Sequence, residues 1–219
     1  MRHLITKLNP RSPISEQYRT IRTNLQFSTV DEDLESILVT SAGPAAGKSI
    51  TSANLAVTYA QQGLKTLLVD ADLRKPTVHY TFRLNNLNGL SNVLVGSSQL
   101  EDAVEVTDVD DLSVLSSGPI PPNPAELLGS KKMKEILHHA NRLYDIVIFD
   151  MPPALAVADA KIMANIVDGM VVVIRSGITQ IEEAERTVDL LKDSKARLLG
   201  AVLNDREKTD NNYYYYYGT

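Results

Sequence analysis

Short unbroken apolar runs alternate along this chain with longer stretches in which apolar residues recur every three or four positions. The runs fall at residues 37–40, 65–70, 112–115, 144–150, 169–174 and 198–203. None shows the in/out alternation of a strand with one wet face, so each predicts a strand buried on both sides. The periodic stretches between them predict helices. Residues 50–60 form one; Ile181, Ala184, Val188 and Leu191 mark the face of another, and Ile14, Tyr18, Ile21 and Leu25 that of a third. Strands of this kind in alternation with helices predict an α/β domain, a mostly parallel sheet with helices on both faces.

Local punctuation sharpens the boundaries. Ser12 can cap the first helix with Pro13 at its first position, where a missing N–H costs nothing. Gly63 stops the helix that begins near residue 50. Residues 77–111 are less regular: a helix over 77–82, a turn at Gly89-Leu90, then a polar helix or loop. Asn123, Pro124 and Glu126 read as a capping box opening a helix that runs to about Arg142.

Composition narrows the function classes. At 219 residues the chain suits one well-buried domain with a tail. Without cysteine, disulfides and thiolate chemistry are excluded, and the four histidines lack ligand spacing. A net charge of −5 argues against direct nucleic-acid binding. No apolar run approaches the roughly 20 residues of a membrane span, and the start is too short in its apolar part for a secretion signal. The expectation is a cytoplasmic protein whose membrane association depends on another chain.

Three strand ends carry the chemistry. After the run at 37–40 comes Ser41-Ala42-Gly43-Pro44-Ala45-Ala46-Gly47-Lys48-Ser49, leading into the helix that starts with Ile50. Strand, small-residue loop and helix is the context of a phosphate loop: backbone amides converge on the anion, Lys48 reaches the outer phosphates, and the Ser49 hydroxyl ligates Mg²⁺. Ala42 stands where G-x-x-x-x-G-K-[ST] begins with Gly. The second strand ends in Asp70-Ala71-Asp72-Leu73-Arg74, two carboxylates at the end where parallel sheets bind ligands. A strand ending in Asp150, stopped by Pro152-Pro153, places a third acid where nucleotide hydrolases and kinases hold Mg²⁺ through water. Asn204, ending the last strand, reads an adenine edge or starts a turn. Glu16, Arg19 and Arg22, at steps of three off the apolar stripe, form a solvated face or a contact surface for another subunit. Five tyrosines, Tyr213, Tyr214, Tyr215, Tyr216 and Tyr217, follow a polar stretch near the terminus, where mobile, modifiable segments concentrate.

From about Ser12 to Gly218 the sequence resembles the bacterial tyrosine kinases that regulate capsule and exopolysaccharide synthesis. The resemblance is carried by the loop from Ser41 to Ser49, Asp-x-Asp-x-Arg at Asp70 to Arg74, Asp-x-Pro-Pro at Asp150 to Pro153, Glu-x-x-Arg-x-x-Arg at Glu16 to Arg22, and the tyrosine cluster. It implies a P-loop fold over 12–206, a flexible tail over 207–219, and ATP and Mg²⁺ as cofactors; residues 1–11 have no assigned role. ATP would lie on Gly43, Pro44, Ala45, Ala46, Gly47, Lys48, Ser49, Ile50 and Asn204. The metal would be held by Ser49, Asp70 and Asp150. Lys48 would stabilise the transferring phosphoryl group, Asp70 would accept the tyrosine proton, and Asp72 would support the metal shell. The family further implies phosphorylation of the tail in trans within an octameric ring built on Glu16, Arg19 and Arg22. Implied partners are a transmembrane adaptor at the inner face of the membrane, cytoplasmic substrates and a tyrosine phosphatase. Two departures stand out: Ala45 replaces the usual loop Gly, and Met151 replaces a Thr whose hydroxyl would lie near the metal. They keep open a nucleotide-gated binding module with little catalysis. A ParA/MinD-type ATPase shares the fold, but there a Lys usually stands where this chain has Gly43, and the tyrosine cluster is absent.

Overall fold

The computed structural model describes residues 4–28 and 34–207. The tyrosine cluster and residues 1–3 lie outside these. Seven strands build one sheet: β1 (Ser36–Ser41), β2 (Thr66–Asp70), β3 (Val104–Val106), β4 (Leu112–Leu115), β5 (Ile146–Asp150), β6 (Gly169–Arg175) and β7 (Arg197–Asn204). Their order across it is β3-β4-β2-β5-β1-β6-β7; β3 is antiparallel to β4 and every other pairing is parallel. The six apolar runs all became strands. The seventh, β3, arose in the stretch read as polar helix or loop, because two half-buried residues and one exposed residue at a sheet edge carry no periodic signal.

Strand alternation sorts the core into two layers. Ile37, Val39, Leu68, Ile146 and Ile148 face α1 (Ile5–Leu8), α2 (Pro13–Phe27), α3 (Lys48–Ala60) and α4 (Val78–Phe82). Leu38, Leu67, Val69, Val147 and Phe149 face the other layer. There lie α5 (Leu90–Leu94), α6 (Leu100–Ala103), α7 (Pro124–Leu128), α8 (Lys131–Asn141), α9 (Asp159–Met163) and α10 (Ile181–Leu191). The central strands β1, β2 and β5 are buried throughout, whereas β7 closes the sheet as a largely exposed edge.

Two expectations about helices need correction. The helix opened by Pro124 does not run to Arg142: Gly129-Ser130 divides it, and Ser130 caps α8 by accepting from the Met133 amide at 3.2 Å. Asn123 makes no backbone cap, its Nδ2 donating instead to Glu126 Oε2 at 2.7 Å. The stripe on α10 is only partly covered: Leu191 is buried, but Ile181 and Val188 are exposed.

Ser12 caps α2 as expected, accepting from the Ser15 amide at 3.1 Å. The segment before it is also built into the fold. Thr6 is fully buried, and its amide and hydroxyl both donate to Asn54 Oδ1 on α3, at 3.1 and 2.8 Å. Gln61 Nε2 donates to the Thr6 carbonyl at 3.0 Å. Residues 4–8 thus buttress the helix that follows the phosphate loop.

Candidate active site

The loop between β1 and α3 is shaped by its own backbone. Ala45 has φ +59° and Gly47 φ +94°, both in the left-handed region that disfavours a side chain. Gly47 is required twice over, since a Cβ there would lie 2.0 Å from Asn204 Nδ2. That amide donates to the Ala46 carbonyl at 2.9 Å, so the end of β7 holds the loop from across 158 residues. Arg175, ending β6, pairs with Asp205 at 2.8 Å and reaches the Ala45 carbonyl at 3.5 Å. Ala45 is therefore accommodated at the cost of a strained φ. Open space surrounds the position where Gly43 would carry a Cβ.

Lys48, the first residue of α3, extends over the ends of β2 and β5. Its Nζ lies 3.0 Å from Asp72 Oδ2, 3.8 Å from Asp150 Oδ1 and 3.4 Å from Ser49 Oγ. Burial alone would lower its pKa, but Asp150 and Asp72 outweigh burial and hold it above the ordinary lysine value. Asp70 and Asp150 are direct register partners on adjacent strands, and both are fully buried. Asp70 Oδ2 accepts from the amides of Thr77 and Val78, each at 2.9 Å. Even so, burial and then the neighbouring Asp150 push Asp70 up to about 7. Burial likewise raises Asp150, against the opposing pull of Lys48, Ser49 and Ser52.

One oxygen on each of these two acids, Asp70 Oδ1 and Asp150 Oδ2, is buried without a hydrogen-bond partner. Orphaned acceptors of this kind fit a cation carried in with a ligand. Among the described residues no group of three or more His, Cys, Asp or Glu forms a ready ion cage. The donor set instead suits the P-loop arrangement, in which a hydroxyl, water-bridged carboxylate and phosphates share Mg²⁺. Ser49 and Asp150 lie beside the Lys48 ammonium, and Asp70 is the register partner of Asp150.

Met151 requires a correction. One position beyond Asp150, it turns to the opposite side of the sheet and is wholly buried in the layer of α8 and α9. A hydroxyl there would point into the core, away from Lys48. Sequence reasoning also passed over Ser52, whose hydroxyl donates to Asp150 Oδ1 at 3.2 Å one turn into α3. Its spacing from Lys48 was the available signal. On α2, Glu16 and Arg19 form an ion pair, while Arg22 folds back to donate to the Thr58 carbonyl at 2.8 Å. A separate pocket of about 320 Å³, lined by Lys134, His138 and Lys195 among others, contains none of the expected site residues.

Comparison with known proteins agrees with this geometry. A family model described as an AAA domain matches residues 35–199. The tyrosine-protein kinase YwqD of Bacillus subtilis is 54% identical over 218 residues, covering 100% of this chain and 92% of that one. The crystal structure of the chimerical protein CapA2B2 superposes with a TM-score of 0.91 at 44% identity, covering 94% of this chain and 90% of that one. The kinase domain of Escherichia coli tyrosine kinase ETK gives the same TM-score at 33% identity, over 97% and 83%. MinD of Pyrococcus horikoshii, complexed with Mg-ADP, shares the fold with a TM-score of 0.66 at 24% identity, over 77% of this chain and 69% of that one. With a parallel sheet, a phosphate loop and a lysine set among three acids, and with such relatives over its whole length, the chain belongs to the bacterial tyrosine-protein kinases.

Proposed function

We propose that this chain transfers the γ-phosphoryl group of ATP to tyrosine hydroxyls, its own Tyr213–Tyr217 in a neighbouring subunit among them, and so regulates capsular or exopolysaccharide synthesis. The observation that carries the reading is the convergence of Lys48, Asp72, Asp150 and Ser49 beside a strained phosphate loop. Mg²⁺, when bound, would neutralise the charge on the β- and γ-phosphates and hold them in line with the attacking oxygen. The loop amides and Lys48 orient the phosphates. For that, Lys48 turns from Asp72 toward the phosphoryl oxygens. Asp150, Ser49 and the adjacent Asp70 would hold the metal, and Ser52 keeps the Asp150 carboxylate in place. Asp70, with a pKa near neutrality and a free oxygen, is suited to receive the tyrosine proton, and a strong base is unnecessary for so loose a transition state.

Asn204 supports the nucleotide site through the loop backbone rather than through a demonstrated adenine contact. Glu16 and Arg19, paired with each other, are the two of the three α2 motif residues left to face a neighbouring subunit of a ring, since Arg22 donates to the Thr58 carbonyl. No helix among the described residues is long and apolar enough to cross a membrane. A transmembrane adaptor would bring the kinase to the inner face of the membrane, and a tyrosine phosphatase would reset the tail.

Intact-mass measurement after incubation with ATP and Mg²⁺, with and without an adaptor's cytoplasmic segment, tests this. Added mass mapping to Tyr213–Tyr217 and absent from Lys48→Met is the expected result. ADP release without added mass would replace the kinase by a partition-type ATPase.

A further inference from the structure

Asp159 is wholly buried at the start of α9, and one guanidinium takes both of its oxygens. Arg74 Nε donates to Oδ2 at 2.9 Å and Arg74 Nη2 to Oδ1 at 3.0 Å. A two-point fork of this kind fixes the plane as well as the position of the guanidinium, which a lysine ammonium would not do. Arg74 stands in the loop after β2, two residues beyond Asp72. Asp72 Oδ1 accepts from the Lys75 amide at 3.0 Å, and the same loop ends on the Thr77 and Val78 amides that hold Asp70. Asp159 belongs to the other side of the site, on the segment leaving Asp150 and β5. The fork therefore ties together the two segments on which all three acids of the site are placed.

Lys48 occupies Asp72 in this structure, and its task on a phosphoryl group requires that it leave. Asp72 is only 4% exposed, and a nearly buried carboxylate stripped of its counter-charge is costly. Arg74 cannot follow the ligand, because Asp159 holds it. We infer that Arg74, locked by Asp159, is a positioning residue for phosphoryl transfer: the fork holds the loop that presents the Asp72 carboxylate, so that Asp72 keeps its place when Lys48 turns to the nucleotide. The inference rests on the kinase reading above. It assigns Arg74 no contact with substrate; it acts through Asp72.

The test uses the full chain with Arg74→Ala, Arg74→Lys, Asp159→Asn, Asp72→Asn and the double variant Asp72→Asn/Arg74→Ala. For each, kcat and KM for ATP are measured in tail phosphorylation, with ADP affinity by calorimetry and a melting temperature. Arg74→Ala and Asp159→Asn are expected to lower kcat about ten- to a hundredfold while KM and ADP affinity stay within about twofold. Arg74→Lys recovers only part of the loss, because it keeps the charge without the fork. In the Asp72→Asn background, Arg74→Ala adds less than about threefold, since the residue it acts through is already altered. Full additivity in the double variant, wild-type kcat in Arg74→Ala, or losses of kcat and ADP affinity that track the melting temperature would each overturn the inference. ADP release is followed in parallel, so a wild-type chain that hydrolyses ATP without marking its tail defeats the kinase reading, while a hydrolysis rate lowered only through Asp72 still supports the role of Arg74.

Discussion

Two buried acid sites lie a short segment apart and are built in opposite ways. Asp159 is fully buried and fully satisfied, with the fork of Arg74 on both oxygens. Asp70 and Asp150 are just as deep, side by side in register, and each keeps an oxygen without a partner. Burial is the same in the two places, so it does not distinguish structure from function here. Satisfaction does. A closed ion pair acts as a strut between loops, whereas an unsatisfied pair of acids beside one lysine leaves acceptors open to a further charge.

The largest test of that contrast removes the lysine. Lys48→Met should cut tail phosphorylation about a hundred- to a thousandfold, the scale of losing one preorganised charge contact in a closed site, as read by intact mass. The strut side is tested by Arg74→Ala, which leaves Asp159 buried without a counter-charge. It should cost about 2–4 kcal/mol in urea unfolding, the lower part of the range because the arginine is itself 41% exposed. Asp70→Asn should move the ligand-free protein the other way, stabilising it by about 1–2 kcal/mol, since it removes one of two adjacent buried carboxylates. The same substitution should weaken Mg²⁺-ADP binding in calorimetry. If both substitutions lowered stability, the distinction between strut and cation site would collapse.

The pH dependence sharpens the same point. Asp70 has a folded-state pKa raised from 3.8 to about 7, so between those values the folded chain holds a proton that the unfolded chain has released. Its contribution is therefore most favourable below pH 3.8 and is lost as pH rises toward 7. Relative to Asp70→Asn, ligand-free wild type should gain melting temperature between pH 7.5 and 5.5, and the two curves should run parallel if the shift is absent. The smallest effect is expected at the loop. Ala45→Gly removes the penalty of φ +59° and should stabilise the chain by less than about 1 kcal/mol, the added flexibility of glycine offsetting part of the gain. ADP affinity should change by less than about threefold, since the wild-type loop already holds the left-handed turn.

The parts of the site legible in the sequence are those at the ends of β1, β2 and β5. These strands are buried on both faces, so their apolar runs are unbroken, and the first charged residue after each run is conspicuous. The phosphate-loop pattern after β1 picked out Lys48, and the acids ending the runs of β2 and β5 picked out Asp70, Asp72 and Asp150. These signals were silent on Asp159, which follows no strand and reads as an ordinary acid at the start of a short helix; its partner lies 85 residues away. Met151 was legible in principle, because one step beyond Asp150 must face the other layer. Gly129-Ser130 similarly carried its own stop and start signals, which the continuing periodicity around them obscured. The edge strands β3 and β7 have exposed positions in place of a core face. The run at 198–203 announced β7 as a strand, but its exposure, and the whole of β3, were decided by position in the sheet, which no local window records.

Asn204 gives the architecture a temporal meaning. The loop at residues 43–49 is made early in synthesis, yet the side chain that grips its Ala46 carbonyl belongs to the last residue of the last strand. Strand, loop and α3 could form beforehand, but the loop would lack its final restraint until β7 had joined the sheet edge. Nucleotide affinity in this protein is thus a property of the finished domain, and it reports the arrival of the C-terminal strand more directly than it reports folding of the motif that bears the phosphate.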